Sequence, residues 1–267
     1  MLSQGNITDR IACSEAAGEF LFRSKPYTVL KNAIDCDAYR YDEALRDQVR
    51  RREGIPEGCL VIGNVGRFSQ QKNQTCLIDL FAAVKEKEPN SVLWLVGDGE
   101  LRPQIEDKIR EHGLRLWAWD DPGQPEQPKP AELYDVRMFG MTDQARELYQ
   151  AMDVLVMPSL YEGLPMVGVE AQASGLPCVL SDAITREVDI AEAVYLPLTA
   201  DAKTWADAIL AAGRRTGRCS RLQKLDALGF NIKTEAERLE MIYGSMAMVS
   251  TIKSKGADTD GKTDPSD

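Results

Sequence analysis

The chain has 267 residues, 43% of them hydrophobic, and a formal charge of −10. That gives enough apolar surface for one large domain, or a medium domain with attachments, and it lacks the cationic surplus that nucleic-acid phosphates or wholesale adsorption to an anionic membrane demand. Six scattered cysteines with no C-x-x-C pair, and a single histidine, His112, leave zinc sites and histidine-based triads poorly supplied. With no secretory leader and no apolar run long enough for a bilayer, the expected setting is the cytoplasm, with reduced thiols.

Along the chain, 10–13 is a short apolar stretch and Ser14 is placed to cap a helix over 15–22. Pro26 breaks the chain, and 27–30 reads as a short strand. Two small elements cannot bury a core, so residues 1–28 need neighbours that the chain does not supply. Residues 29–58 read as a connection, with a charged helix over 42–53 ahead of Gly54, Pro56 and Gly58. The pattern then becomes regular. Apolar strands are predicted at 59–65, 92–96, 136–139, 154–157 and 178–180, alternating with helices at 75–87, 101–111, 144–150 and 167–174. Strands that are apolar throughout, alternating with helices, predict a doubly wound α/β domain with a parallel sheet covered on both faces, over 59–232. Residues 120–131 carry Pro122, Pro125, Pro128 and Pro130 and predict an exposed inserted loop. Helices follow at 203–212 and 233–248; residues 233–253 form a terminal helical segment, and the polar stretch 254–267 is expected to be a disordered tail.

In an open parallel sheet, ligands bind beyond the carboxyl ends of the strands. Two such ends carry unusual residues. Gly66-Arg67-Phe68-Ser69-Gln70-Gln71-Lys72-Asn73 places two cations five residues apart on the turn leaving the first strand. They can converge on one anion, a diphosphate being the natural guest of a guanidinium fork and an ammonium point charge, or they can form a solvated basic loop. The second end is Pro158-Ser159-Leu160-Tyr161-Glu162-Gly163-Leu164-Pro165-Met166-Val167-Gly168-Val169-Glu170. Pro165 suits the first turn of a helix whose amides aim into the crevice. Glu162 can hold sugar hydroxyls and Glu170 a ribose diol. A helix N-terminal acid favoured by the dipole explains Glu162 but not Glu170.

Glu162-x7-Glu170, in the setting PSLYEGLPMVGVEAQASGLPCVLSD, resembles the signature of the retaining glycosyltransferase family 4 with the GT-B fold. Arg67 and Lys72 match its Gly-Arg-x4-Lys segment, and Val96-Gly97-Asp98-Gly99, Met138-Phe139-Gly140 and Ala151-Met152-Asp153 stand where the family has comparable pieces. Val29-Leu30-Lys31-Asn32-Ala33-Ile34-Asp35 resembles its interdomain connection. The resemblance spans residues 8–250 and is closest to bacterial exopolysaccharide and capsule glycosyltransferases.

The resemblance implies a Rossmann-like C-terminal half of a GT-B enzyme, with residues 1–28 a remnant of the acceptor-side domain and 233–253 the crossing helix. It implies that Arg67 and Lys72 neutralise the leaving nucleoside diphosphate. Glu162, with Gly66 nearby and the amides of Gly163, Leu164, Met166 and Val167 around Pro165, grips the donor sugar and its phosphates. Glu170 binds ribose, and the loop at Phe139 and Gly140 lies by the base, uracil. The substrate is then a UDP-sugar, the acceptor a glycan or lipid-linked glycan of polysaccharide biosynthesis, and no cofactor or metal is called for. The full enzyme is expected at the inner face of the cell membrane as a peripheral protein. Asn73 departs from the family's glycine, the proline-rich insertion precedes the base site, and the domain bearing the acceptor site is expected to be a separate or missing chain, with the crossing helix under-packed. His112 cannot stand in for the histidine of that domain.

Asp35-Cys36-Asp37 imitates the metal-binding Asp-x-Asp of the other major glycosyltransferase fold but lies in the connection. A hydrolase acid/base pair at Glu162 and Glu170 leaves Arg67 and Lys72 without a purpose. A nucleotide-sugar epimerase lacks the Glu-x7-Glu setting. A catalytically inactive nucleotide-binding half stands as the alternative to a transferase.

Overall fold

The computed structural model describes residues 9–120 and 130–257, with the side chains of the last helix described as far as Gly244. The chain divides into two compact units: Met1–Asp35 with Asp226–Asp267, and Cys36–Leu225.

In the smaller unit, β1 (Ile11–Ala12) and β2 (Thr28–Val29) pair in parallel around α1 (Glu15–Phe22). Ser14 caps α1 by accepting from the Ala17 amide at 3.1 Å, as a Ser ahead of an acidic first turn predicts. Gly18 is needed where α1 lies on Tyr27, because a Cβ there would fall 2.2 Å from the ring.

The larger unit opens with α2 (Glu43–Arg52), capped by the Asp42 carboxylate. It continues through β3 (Leu60–Val65), α3 (Gln74–Lys87), β4 (Ser91–Val96), α4 (Arg102–Glu111), β5 (Leu116–Ala118), β6 (Val136–Met138) and α5 (Ala145–Ala151). Then come β7 (Val154–Met157), α6 (Met166–Ala173), β8 (Cys178–Ser181), β9 (Val194–Leu196), α7 (Ala202–Gly213) and α8 (Leu222–Ala227), whose end passes into the smaller unit. The smaller unit closes with α9 (Ile232–Ala257), held to Ile34 by backbone bonds from Phe230 and Ile232.

All seven strands of the large sheet are parallel, in the order β5-β6-β4-β3-β7-β8-β9. Leu93, Trp94 and Leu95 on β4 are all fully buried, although successive residues face opposite sides. Only a sheet covered on both faces can do that, and each such side chain contributes about 1.5–3 kcal/mol. The chain fills the sheet outward from β3 through β4, then crosses to β7 on its other flank. The strand order therefore reverses between β3 and β7, and a crevice opens beyond their carboxyl ends.

The predicted doubly wound α/β fold is present, with three further elements. β5 and β9 are three-residue edge strands, and α8 has six residues, all too short to show periodicity. Helix α9 runs through Ala257, so 254–257 are helical where a loose tail is expected. Residues 36–58, expected as a connection, belong to the large unit. The proline-rich stretch 121–129 and the end of the tail, 258–267, lie outside the described residues.

Candidate nucleotide-sugar site

At the end of β3 the polypeptide turns sharply at Gly66, whose φ of 150° suits glycine. The Lys72 stem lies over it: a Cβ on Gly66 would sit 3.4 Å from Lys72 Cε. Next to it, Gly97 at the end of β4 has φ 130°, and a Cβ there would fall 2.1 Å from the Gly66 carbonyl oxygen. Gly97 N donates to Gly140 O at 2.9 Å, so main-chain contacts bring the loops after β3, β4 and β6 together.

Lys72 ends a 3-10 turn, Gln70–Lys72, and its ammonium lies 2.6 Å from Glu162 Oε1 in the loop after β7. The Glu162 side chain is only 7% exposed. Gln71 Nε2 donates to Glu162 Oε2 at 3.2 Å and to Tyr161 O at 3.0 Å, and Leu160 N donates to Gln71 O at 2.8 Å. Asn73 Nδ2 donates to Pro158 O at 3.0 Å. Five hydrogen bonds thus join the two loops across the switch point. Asn73 adopts φ 57°, ψ 40°, the left-handed conformation that glycine adopts freely and that Asn tolerates best among the other residues. The substitution at this position is therefore conformationally mild, and it adds a hydrogen bond.

Arg67 is placed differently. Its Nε lies 3.1 Å from Glu100 Oε2, beyond β4, and its side chain is 74% exposed. The two cations share an edge, but Lys72 faces Glu162 while Arg67 faces Glu100.

Helix α6 begins after Pro165 with no side-chain cap, so the amides of Met166 and Val167 open its N-terminus. Gly163 faces open space: nothing lies within 4 Å of a Cβ built on it. Glu170 stands one turn inside, where its Oε2 accepts from the Tyr149 hydroxyl at 2.9 Å. Burial pushes the Glu170 carboxyl above its ordinary range, partly offset by hydrogen bonds from Tyr149 and Tyr39. Burial and the neighbouring Glu170 push Tyr39 up to about 12 and Tyr149 well above its usual range, so both remain donors.

Phe139, half-buried, packs against Trp94 at 5.0 Å and against the Arg137 guanidinium at 4.0 Å. Arg137 in turn stacks on Trp117 and pairs with the buried Glu53. Gly140 is buried at φ 69°, with the Trp119 indole against it. His112 caps α4 and contacts Asp79 at 2.6 Å.

Sequence reasoning missed several positioning groups. Asn64 Nδ2 donates to Val156 O at 2.8 Å, locking β3 to β7, and the buried Gln74 donates to Arg67 O at 3.0 Å. Asn64 could have been found, as a polar residue in an otherwise apolar strand. Tyr149 and Glu100 carry no sequence signal, because their partners lie 21 and 33 residues away.

Comparison with known proteins gives this geometry a setting. EpsF of Bacillus subtilis strain 168, a glycosyltransferase by name, is 36% identical over 247 residues, covering 89% of this chain and 60% of EpsF. The Escherichia coli protein named UDP-Gal:alpha-D-GlcNAc-diphosphoundecaprenol alpha-1,3-galactosyltransferase is 27% identical over 58% of this chain and 36% of its own length. The crystal structure of Anabaena HepE in complex with UDP and glucose superposes with a TM-score of 0.68 at 21% identity, over 88% of this chain and 62% of HepE. The chain therefore spans at most about three fifths of the length of the two curated relatives named here. Its fold is that of the Rossmann-like C-terminal half of GT-B glycosyltransferases. Residues 59–213, which hold the whole switch-point crevice, match the family model described as glycosyl transferases group 1, and the chain belongs to that family.

Proposed function

We propose that this chain is the donor half of a glycosyltransferase of polysaccharide biosynthesis, which takes a sugar from a UDP-sugar and passes it, with retention and without a metal, to a glycan or lipid-linked acceptor. The observation that carries the reading is the Lys72–Glu162 pair at the β3/β7 switch point. It places a cation and an acid at the strand ends where open α/β sheets bind ligands, in the loop that leads to the uncapped start of α6.

In this reading the diphosphate draws Lys72 from Glu162 and Arg67 from Glu100. The exposed Arg67 side chain is free to swing. Both cations, with the Met166 and Val167 amides, neutralise charge that grows on the diphosphate as the glycosidic bond breaks. Glu162, released, accepts hydrogen bonds from sugar hydroxyls near Gly163 and Leu164. Glu170, already held by two tyrosine hydroxyls, accepts from the ribose diol, and the main chain at Gly140 lies by the base. The UDP and glucose named in the HepE structure and the UDP-Gal of the E. coli relative's name support a UDP-sugar here. The acceptor is contributed by a facing domain, in the same protein or a separate chain.

Titration calorimetry with UDP tests the reading. The parent chain binds, and Lys72→Ala weakens binding about tenfold or more, the loss of one charge-assisted hydrogen bond or ion pair. Equal affinity in the two chains rules the phosphate role out.

A further inference from the structure

Because the strands are parallel, the opposite edge of the sheet holds their amino ends, and a second concavity lies there. It is a cavity of about 490 Å³, bordered by Asp153 before β7, Pro177 before β8 and the segment that follows α7. Four arginines line it, Arg46, Arg215, Arg218 and Arg221, against two acids, Glu43 and Asp153. In a chain of net charge −10, this is a local reversal of sign.

The four arginines fall into two groups. Arg218 is anchored: it donates to the carbonyl oxygens of Ser174 (2.8 Å), Gln150 (3.0 Å), Met152 (2.9 Å) and Tyr149 (2.7 Å), and it has no acidic partner among the described residues. Tyr41 stacks on it at 4.6 Å. Arg46 likewise donates to Gln150, Ala151 and Met152 carbonyls and pairs with Asp153. These two satisfy the C-terminus of α5, whose carbonyls and dipole attract cations. That structural duty accounts for their presence.

It does not account for Arg215 and Arg221. Both are exposed, both line the same cavity, and neither side chain has an ion-pair or hydrogen-bond partner among the described residues. The segment between them includes Gly217, at φ 74° with nothing within 4 Å of a built Cβ, so the turn there is open to a guest. Two uncommitted guanidinium forks, set beside a half-buried and fixed third, suit the oxygens of a phosphate.

We propose that this cavity is an anion site for a phosphate group, separate from the donor crevice, in which Arg215 and Arg221 close on the phosphate above the fixed Arg218. The phosphate can belong to a soluble phosphate ester or to an anionic lipid headgroup; the chemistry recognised is the same.

The test uses the full chain with Lys72→Ala, which weakens the donor crevice's own hold on a diphosphate, and inorganic pyrophosphate as the probe. Calorimetry is expected to detect binding, and adding Arg215→Ser and Arg221→Ser to weaken it about tenfold or more, for two charge-assisted bonds lost. The thermal melt should stay unchanged, because neither side chain makes a hydrogen bond or ion pair among the described residues. In a second arm, the same two chains are floated with phosphatidylglycerol vesicles and with phosphatidylcholine vesicles. Capture by phosphatidylglycerol alone, lost on the double substitution, identifies a headgroup site; response to pyrophosphate alone identifies a soluble ligand. The proposal is overturned if the Lys72→Ala chain binds neither probe, or if whatever it binds is indifferent to both arginines.

Discussion

Lys72 and Glu162 are 90 residues apart in sequence and 2.6 Å apart in space, and their contact joins the turn after β3 to the loop after β7. In the unliganded chain each neutralises the other, so a diphosphate must compete with a carboxylate for the same ammonium. Removing the competitor should therefore help the nucleotide even as it removes a sugar contact. Glu162→Gln is expected to bind UDP as tightly as the parent or a few-fold tighter, whereas Lys72→Ala binds it about tenfold or more weakly. Calorimetry on the three chains separates these roles. A Glu162→Gln chain as weak as Lys72→Ala would mean that the pair serves only to hold the loops together.

The glycines of the crevice differ in what they are for. Gly97 has φ 130° and no room, its built Cβ lying 2.1 Å from Gly66 O, so Gly97→Ala must displace backbone. A loss of about 3 kcal/mol or more is expected from urea unfolding. Gly163 has open space around it, and Gly163→Ala should stay within about 0.5 kcal/mol of the parent. Equal losses at the two sites would contradict the packing described here.

Asn73 tests the stitch between the loops. Asn73→Gly keeps the left-handed backbone but loses the bond to Pro158 O, while Asn73→Ala loses the bond and adds strain at φ 57°. Urea denaturation should show the alanine variant less stable than the glycine variant by about 1 kcal/mol. The reverse order would show that the backbone conformation is not what constrains this position.

A pH-dependent term comes from Asp135, whose side chain is 7% exposed. Burial alone would raise its carboxyl, but bonds from Arg115 (Nε and backbone N, both 2.9 Å) and Lys85 (2.9 Å) outweigh burial and hold it well below the usual range. A carboxylate whose folded pKa is depressed adds stability above its unfolded pKa of about 4, and that stability fades as pH falls toward the folded value. Asp135→Asn should cost about 1–3 kcal/mol at pH 7. The gap to the parent should narrow steadily between about pH 4 and pH 2. A gap that does not change with pH would assign the loss to packing instead of charge.

Much of the fold can be read from residues that act locally. The apolar runs of β3, β4 and β7 announce a sheet buried on both faces, and Ser14 announces the start of α1, because burial and capping depend on neighbours a few positions away. β5, β9 and α8 escape notice because three to six residues cannot display a period. At the site, the Gly-Arg-x4-Lys and Glu-x7-Glu segments follow the ends of β3 and β7. Which cation faces which acid could not be read from them, nor that Phe139 packs against Trp94 and Arg137.

By itself, then, the sequence determined most of the order of strands and helices and the two segments rich in charged and glycine residues. Only the tertiary structure decided that Lys72 meets Glu162 while Arg67 meets Glu100, that Phe139 packs against Arg137, and that Arg215 and Arg221 share a cavity with the anchored Arg218. The reason is physical. Periodicity and capping are written within a few residues, whereas the partner of a charged side chain is whichever group the sheet's strand order brings within about 3 Å, and that order is fixed by the packing of the whole core.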